Sequence, residues 1–152
     1  MSAEEKLREL GIELPAAPPP LGSYVPFART ESLVFLSGIL PLQEGRLTKQ
    51  GRVGQDVTLH EAAECAKVAT VNALSILKAN LGSLNNVRRC VKITGYVAST
   101  PDFTDQPRVL NAASDLIFEV FGEAGRHARS AVGVSVLPFN SPVEIEFIFE
   151  VS

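Results

Sequence analysis

An alternating segment late in the chain predicts a β-strand that begins with an arginine. It reads Ala128-Arg129-Ser130-Ala131-Val132-Gly133-Val134-Ser135-Val136-Leu137-Pro138. Valines alternate with small residues, and the period of two puts Arg129 on the small-residue face. Because that face has no bulk to cover a guanidinium, we expect another group to fill the space. A carboxylate fits, since the planar fork holds both oxygens and stays charged at physiological pH. The alternative is an arginine that caps a strand end and pairs with a nearby glutamate.

The last predicted strand puts two acidic residues on one face. It runs from about Val143 to Val151, and its apolar side chains stand at every second position. Glu144 and Glu146 therefore share the opposite face. In a dry cleft one carboxylate would raise the pKa of the other. A carboxylate that simply faces solvent is the alternative for Glu144.

The preceding residues predict three more strands and two long helices. The strands are expected at about Tyr24–Ala28, Leu33–Ser37 and Val87–Ala98, one helix between the cap Asp56 and Gly82, and another over about Asp102–Val120. The order is β-β-α-β-α-β-β, which is an α+β architecture with both helices on one face of a single sheet. Several strands have little polar surface for the second face, so we expect the chain to self-associate there.

The N-terminal residues differ from this domain. Ser2 and Glu5 form a capping box that begins a short helix, and Gly11 ends it. Pro15 and the prolines at 18–20 then predict an extended connector. Residues 1–20 are therefore interpreted as an N-terminal helix with a proline-rich extension, and residues 21–152 as the domain.

Composition excludes several classes of protein. The 152 residues carry a net charge of −3, which provides no electrostatic footprint for nucleic acid or an anionic membrane. No segment resembles a signal peptide, and no apolar run is long enough to span a bilayer. Two isolated cysteines suggest no disulfide framework. No group of residues has metal-ligand spacing and no glycine-rich loop could cradle phosphate, so no metal or cofactor is expected. We expect a cytoplasmic protein.

Six short motifs, in order, resemble a known family. They are Gly22-Ser23-Tyr24-Val25, Leu36-Ser37-Gly38-Ile39-Leu40-Pro41, Asn111-Ala112, Ala128-Arg129-Ser130, Leu137-Pro138 and Val143-Glu144-Ile145-Glu146. Over about residues 20–152 the chain resembles the YjgF or RidA family of reactive-intermediate (enamine/imine) deaminases, some of which carry the older names endoribonuclease L-PSP or translation inhibitor. The resemblance implies a bacillus-type chorismate mutase-like fold, a homotrimer and a small-molecule site in each cleft between subunits. The proline-rich extension is similar to a longer branch of the family.

The resemblance also implies roles for individual residues. Arg129 would bind the substrate carboxylate, and Glu144 would position the attacking water. The remaining residues of the implied site are Tyr24, Ser37, Gly38, Asn111 and Ala131. Taken alone, Tyr24 could be a strand-edge aromatic, Ser37 a turn former beside Gly38, and Asn111 a solvent-facing helix residue.

Ala131 is a departure from the family pattern. Compact deaminases carry a cysteine at this position, two residues after the arginine. Imine hydrolysis needs a water, a polarised C=N bond and a carboxylate anchor, and it needs no thiolate. The alanine therefore permits the chemistry and alters the pocket. His127 could serve as an acid or base near neutral pH, but its glycine-rich surroundings favour an ordinary loop residue.

Three functions are compatible with these residues. The first is a deaminase that hydrolyses small 2-imino or 2-enamino acids to 2-keto acids and ammonia. The second is a non-catalytic protein that binds small carboxylates, such as an imino or keto acid, through the same arginine. The third is an endoribonuclease, which the acidic charge and the absence of a basic groove disfavour.

Overall fold

Two long antiparallel strands form the centre of the molecule. In the computed structural model, which describes residues 1–152, these are β5 (Val87–Ala98) and β7 (Val143–Val151). The hairpin of β1 (Phe27–Thr30) and β2 (Leu33–Leu36) continues the sheet beyond β7, and β6 (Ala128–Val134) runs parallel to β5 on the other side. The strand order is β1-β2-β7-β5-β6. The mixed α+β architecture predicted from the sequence is confirmed.

A small two-stranded ribbon follows the first hairpin. It consists of β3 (Leu42–Gln43) and β4 (Arg46–Leu47), joined by a turn at Glu44 and Gly45. The sequence does not predict this ribbon, because two-residue strands are too short to show a hydrophobic period.

Both long helices pack on one face of the sheet. They are α2 (Leu59–Leu81) and α3 (Gln106–Phe121). Thr58, rather than the predicted Asp56, caps α2, because Thr58 and Glu61 form a capping box with hydrogen bonds of 3.0 and 3.1 Å. The Asp56 carboxylate instead accepts a hydrogen bond from the Arg52 amide. It stabilises the turn before the helix and leaves the cap to Thr58.

Two strand boundaries differ from the predicted ones. β1 begins at Phe27 rather than at Tyr24, because Pro26 has no N–H to donate to a regular ladder. β6 ends at Val134 rather than at Leu137. Its neighbour β5 ends at Ala98, so no strand remains to pair with the residues that follow. The predicted helix at Asp102 likewise begins only at Gln106, after a turn.

Close packing between β5 and α3 depends on a glycine. A Cβ atom on Gly95 would collide with the side chain of Leu110, which is fully buried. The core between the sheet and the helices contains the apolar face of β7, including Phe147 and Phe149. Dense packing of this kind fixes the position of α3 over β5 and β6.

The other face of the sheet carries no helix. Leu33, Phe35 and Val132 are exposed there by 37%, 42% and 44%. Tyr96 and Glu144 are cross-strand neighbours on the same face. This face is therefore more polar than the sequence suggested, because the acidic residues of β7 interrupt the apolar side chains.

A short N-terminal helix packs against the domain. α1 (Ala3–Glu9) begins with the predicted capping box, and Leu7 on it is only 3% exposed. The Glu4 carboxylate accepts hydrogen bonds from the Leu84 amide and from Lys78, both at 3.0 Å. Burial opposes ionisation of Glu4, but these bonds together outweigh it and lower its pKa. None of the helices is both long and apolar enough to cross a membrane.

Candidate functional site

Glu144 lies beside the chain reversal that follows β2. Two backbone hydrogen bonds between Ile39 and Ile145, of 2.8 and 3.0 Å, bring this segment against β7. Gly38 then touches the Glu144 side chain, since a Cβ on Gly38 would lie 2.8 Å from Glu144 Oε1. A glycine is needed here because any larger residue would displace the carboxylate. The structure therefore brings together two residues of the predicted site.

A cleft of about 460 Å³ opens at this point. Its lining contains Tyr24, Ser37, Gly38 and Glu144 of the predicted site. The remaining lining residues are Pro18, Pro19, Pro20, Leu21, Pro26, Ile39, Leu40, Leu42, Ile76, Pro138 and Phe139. Apart from Glu144 and two hydroxyl groups, the side chains of the cleft are apolar. The size is in the range of small-ligand pockets, about 300–1,000 Å³.

Both hydroxyl groups of this cleft already have hydrogen-bond partners. Ser37 Oγ donates to the Val25 carbonyl at 2.7 Å, and the Leu21 amide donates to Tyr24 Oη at 3.2 Å. Ser37 therefore holds the chain before β1. Tyr24 is 46% exposed and lines the cleft.

The electrostatic environment disfavours the charge on Glu144. Burial, and secondly the charge of Glu146, raise its pKa above the ordinary value. Glu146 accepts a hydrogen bond from Tyr96 Oη at 2.7 Å. That bond also raises the pKa of Tyr96, with burial and the two carboxylates acting in the same direction. Sequence reasoning missed Tyr96, although its position in a long strand opposite an acidic strand was a usable signal.

Arg129 is held by two side chains of α3. Its Nη1 donates to Asn111 Oδ1 at 2.9 Å and to Ser114 Oγ at 3.1 Å. All five ion pairs in the structure involve other residues, so Arg129 has no carboxylate partner. Because Nη1 uses both of its hydrogens, Nε–H and the two N–H groups of Nη2 remain free. That free edge of the fork is suited to a ligand carboxylate.

The small-residue face of β6 is partly covered, contrary to the prediction, although Gly133 on this face stays exposed. α3 lies over it, and Ala131 is half-buried against the core. A Cβ on Gly133 would come within 2.8 Å of side-chain atoms of Gln106 and Ser99. Small residues are needed because the helix lies so close, and the valines point to the open face instead. Arg129, near the start of the strand, is likewise half-buried and contacts α3 through Asn111 and Ser114.

His127 belongs to the same network. Its Nδ1 lies 2.6 Å from the Gly125 carbonyl, which can only accept, so Nδ1 carries the proton. Its Nε2 lies 2.8 Å from Ser114 Oγ and accepts from that hydroxyl when the ring is neutral. Ser114 thus links His127 to Arg129. A shallow cleft of about 370 Å³ borders these residues. Ser114 was missed, although its spacing of three from Asn111 puts both on one helix face.

The predicted site residues form two groups within one chain. The arginine group consists of Arg129, Asn111 and Ala131 with Ser114 and His127, and the glutamate group of Glu144, Tyr24, Ser37 and Gly38. Arg129 is opposite the buried Ile93 and therefore lies on the helix side of the sheet. Glu144 lies on the open side. The structure of one chain therefore does not bring the two groups together.

Neither cysteine is positioned for nucleophilic catalysis. Cys65 and Cys90 are both buried and unpaired. Burial raises the pKa of the Cys90 thiol to about 12, so it stays protonated. The structure contains no group of three or more histidine, cysteine, aspartate or glutamate side chains that could hold a metal ion.

Comparisons with known proteins identify relatives along nearly the whole chain. Residues 4–151 match a family described as "YjgF/chorismate mutase-like, putative endoribonuclease". The chain is 42% identical over 147 residues to Protein TCP17 of Trypanosoma cruzi, covering 96% of this chain and 92% of that one. It is 29% identical over 142 residues to 2-iminobutanoate/2-iminopropanoate deaminase of Dermatophagoides farinae, covering 90% and 92%.

A solved structure has nearly the same fold. A protein of unknown function from Agrobacterium tumefaciens is 46% identical and superimposes with a TM-score of 0.91, covering 99% of this chain and 92% of that one. The match includes the N-terminal helix and the proline-rich connector, because so little of this chain is left out.

Proposed function

Since the chain belongs to the YjgF/chorismate mutase-like family, we propose that it is a deaminase of small 2-imino or 2-enamino acids. The products are a 2-keto acid and ammonia. The observation that carries this proposal is the Arg129 guanidinium, which is oriented by two neutral side chains and has no carboxylate partner. A carboxylate-bearing substrate supplies the missing partner. A relative named as a 2-imino acid deaminase supports the same reaction class.

A complete site requires two chains in this proposal. The arginine group and the glutamate group lie on opposite faces of one sheet. In a homotrimer the arginine group of one subunit meets the glutamate group of its neighbour. The exposed side chains of Leu33, Phe35 and Val132 support self-association, because they give the open face an apolar component.

Each residue of the site then has its own role in the reaction. Arg129 binds the substrate carboxylate through Nε–H and Nη2–H, and Tyr24 packs against the substrate. Glu144 takes a proton from a water molecule whose oxygen attacks C2 of the imine. Glu144 passes this proton to the imine nitrogen, which gives a carbinolamine. It then carries the carbinolamine hydroxyl proton to the amine nitrogen, and the C–N bond breaks as the C=O bond forms, which releases ammonia. Water and imine thus give one keto acid and one ammonia. Since the substrate is already reactive, orientation supplies much of the rate.

Subunit mixing tests this proposal. Imines are made in solution by an amino-acid oxidase, and keto-acid release is measured against buffer. Arg129→Ala and Glu144→Gln are each expected to abolish the acceleration. When the two inactive variants are unfolded together and refolded, random association restores about one intact cleft in four. Activity in the mixture supports a site shared between subunits. A wild-type protein with no acceleration for any amino acid overturns the deaminase.

A non-catalytic carboxylate-binding protein is the second candidate. Ala131 favours it, because this residue replaces the cysteine of the compact deaminases. Calorimetry with 2-oxobutanoate, run beside the turnover assay, separates the two candidates. Binding that Arg129→Ala abolishes, without turnover in the wild type, supports the binding protein. An endoribonuclease, the activity in the family description, would require RNA cleavage that survives Arg129→Ala.

A further inference from the structure

We propose that the proline-rich connector is a specificity-determining wall of the Glu144 cleft and selects substrates with a bulky apolar side chain. This inference rests on the proposed function and specifies which class of 2-imino acids the enzyme prefers. Pro18, Pro19, Pro20 and Leu21 line the same cleft as Glu144. A segment that precedes the sheet thus forms part of the candidate site.

The start of the connector is fixed to the domain. Leu7 of α1 is buried in the core, and Glu4 binds the Leu84 amide and Lys78. The Asn85 side chain accepts a further bond from the Glu4 amide at 3.2 Å. Beyond α1, Leu14 packs against the core. The connector therefore approaches the cleft from a defined position.

The end of the connector is fixed at the cleft itself. The Leu21 amide donates to Tyr24 Oη, and Ser37 Oγ donates to the Val25 carbonyl. Between these anchors the three prolines have restricted φ angles and no N–H groups. They present a stiff, apolar surface that offers a ligand no hydrogen-bond donor. Both hydroxyl groups of the cleft thus hold the wall in place, which explains why they are already bonded.

A constrained loop contributes another apolar surface. Phe139 has φ of +57°, a left-handed conformation that a bulky residue rarely adopts, and the residue is 64% exposed. Gln50 donates to the Phe139 carbonyl at 2.9 Å, and the Gly51 amide donates to the Asn140 carbonyl at 2.8 Å. These bonds hold the aromatic ring at the cleft. Such strain is often found where a side chain clamps a ligand.

The chemistry of the lining defines the substrate side chain. Glu144 is the only charged residue among the lining residues, and none of them is a lysine, arginine, histidine, asparagine or glutamine. Of the two hydroxyl groups, Ser37 already donates its hydrogen to the Val25 carbonyl, and only Tyr24 still has an O–H to donate. A charged or strongly polar side chain would therefore lose more hydrogen bonds to water than the cleft replaces. An acidic side chain would also be repelled by Glu144. The cleft fits 2-imino acids with branched aliphatic or aromatic side chains, such as those derived from leucine and phenylalanine.

The experiment compares kcat/KM for imines derived from leucine, phenylalanine and alanine. The wild type is expected to prefer the two larger substrates. Leu21→Ala removes apolar surface from the wall and should lower the leucine-to-alanine ratio by about tenfold, the effect of a few methylene groups in a pocket. Pro20→Ala should lower it less. Pro15→Ala is the matched control, because Pro15 lies in the same connector outside this cleft, and its ratio should equal that of the wild type. Thermal unfolding confirms that each variant is folded.

The outcomes separate this inference from the proposed function. If the alanine imine is the preferred substrate, or if Leu21→Ala leaves the leucine-to-alanine ratio of kcat/KM unchanged, the connector does not determine specificity. Either result still supports the proposed deaminase activity. If no imine is hydrolysed, the same variants are titrated with 2-oxopropanoate, 4-methyl-2-oxopentanoate and phenylpyruvate. If the affinity rises with the size of the keto-acid side chain and falls in Leu21→Ala, the connector determines binding specificity. The proposed hydrolysis is then wrong. If no keto acid binds, both the proposed function and the specificity role of the connector are wrong.

Discussion

The arginine group and the glutamate group lie on opposite faces of the same sheet and are held in different ways. Arg129 is positioned by the side chains of Asn111 and Ser114, so a helix orients a strand residue through hydrogen bonds. Glu144 is positioned by the absence of a side chain at Gly38 and by burial. The first arrangement leaves part of the Arg129 guanidinium accessible to a ligand. The second makes ionisation of Glu144 unfavourable. In the proposed function, substrate binding and proton transfer therefore belong to separate regions of one chain.

The largest effect is expected from removing the charge of the glutamate group. Glu144→Gln should lower kcat by about 10²–10⁴-fold, the usual contribution of a general base, whereas Arg129→Lys should act mainly on KM. Steady-state kinetics on both variants measures the difference. Equal changes in KM for the two variants would contradict the separation of roles.

The same substitution should stabilise the protein at neutral pH. Because the pKa of Glu144 is raised in the folded state, the protonated form stabilises the fold at low pH, and that contribution is lost as pH rises through the raised pKa. Gln stays neutral, so Glu144→Gln should have a higher Tm above this pKa and a similar Tm below it. A Tm difference that grows toward acid pH would contradict the assignment.

One alanine in each region should have opposite consequences. Gly125→Ala would put a Cβ 2.5 Å from the Ile117 carbonyl oxygen, a backbone atom that cannot move away, so it should destabilise the fold by about 1–3 kcal/mol. Gly38→Ala meets only the mobile end of Glu144, so it should lower kcat about tenfold and leave stability nearly unchanged. Urea unfolding and kinetics on both variants test the contrast.

A smaller effect is expected from Ser114. Ser114→Ala leaves Arg129 with Asn111 as its one orienting partner and removes the donor to His127 Nε2. A lost hydrogen bond of about 1 kcal/mol corresponds to a KM raised roughly fivefold, with kcat unchanged. Ser114→Thr keeps the hydroxyl and serves as the control. A fall in kcat without a change in KM would place Ser114 in the chemistry instead.

The smallest effect is a shift of the pH profile. Glu146 carries a charge that contributes to the raised pKa of Glu144, so Glu146→Gln should lower that pKa. The rise of kcat/KM with pH should then occur at lower pH in the variant than in the wild type. Binding of a keto acid to the arginine group should not follow this shift, since guanidinium stays charged throughout. A profile shifted to higher pH would contradict the assignment.

The order of elements could be predicted because each period is strong in the sequence. Alternation in β7 fixed Glu144 opposite the apolar face, and the structure agrees. Alternation in β6 was equally clear, but it could not tell which face α3 covers. Small residues beneath a close helix and small residues facing an empty space give the same pattern, so Arg129 was expected beside an uncovered surface.

The candidate site could be predicted only in part. Seven residues of the two groups were named from the resemblance, but their separation depends on the parallel pairing of β5 with β6 and on which faces point outward. Ser114 and Tyr96 were missed because their roles depend on partners distant in sequence. The contact of the prolines with the Glu144 cleft could not be predicted either, because a connector has no hydrophobic period from which its packing partner can be inferred.

The anchoring of α1 by Glu4 has a consequence for the evolution of the proposed selectivity, because it separates the connector from the strands that carry Arg129 and Glu144. Glu4 and Leu7 attach the connector from outside the sheet, so insertions, deletions or new side chains between residues 15 and 21 leave the strands and their reacting groups in place. If the proposed function holds, a descendant protein acquires new substrates through changes in this short segment, while the residues proposed for hydrolysis are inherited unchanged.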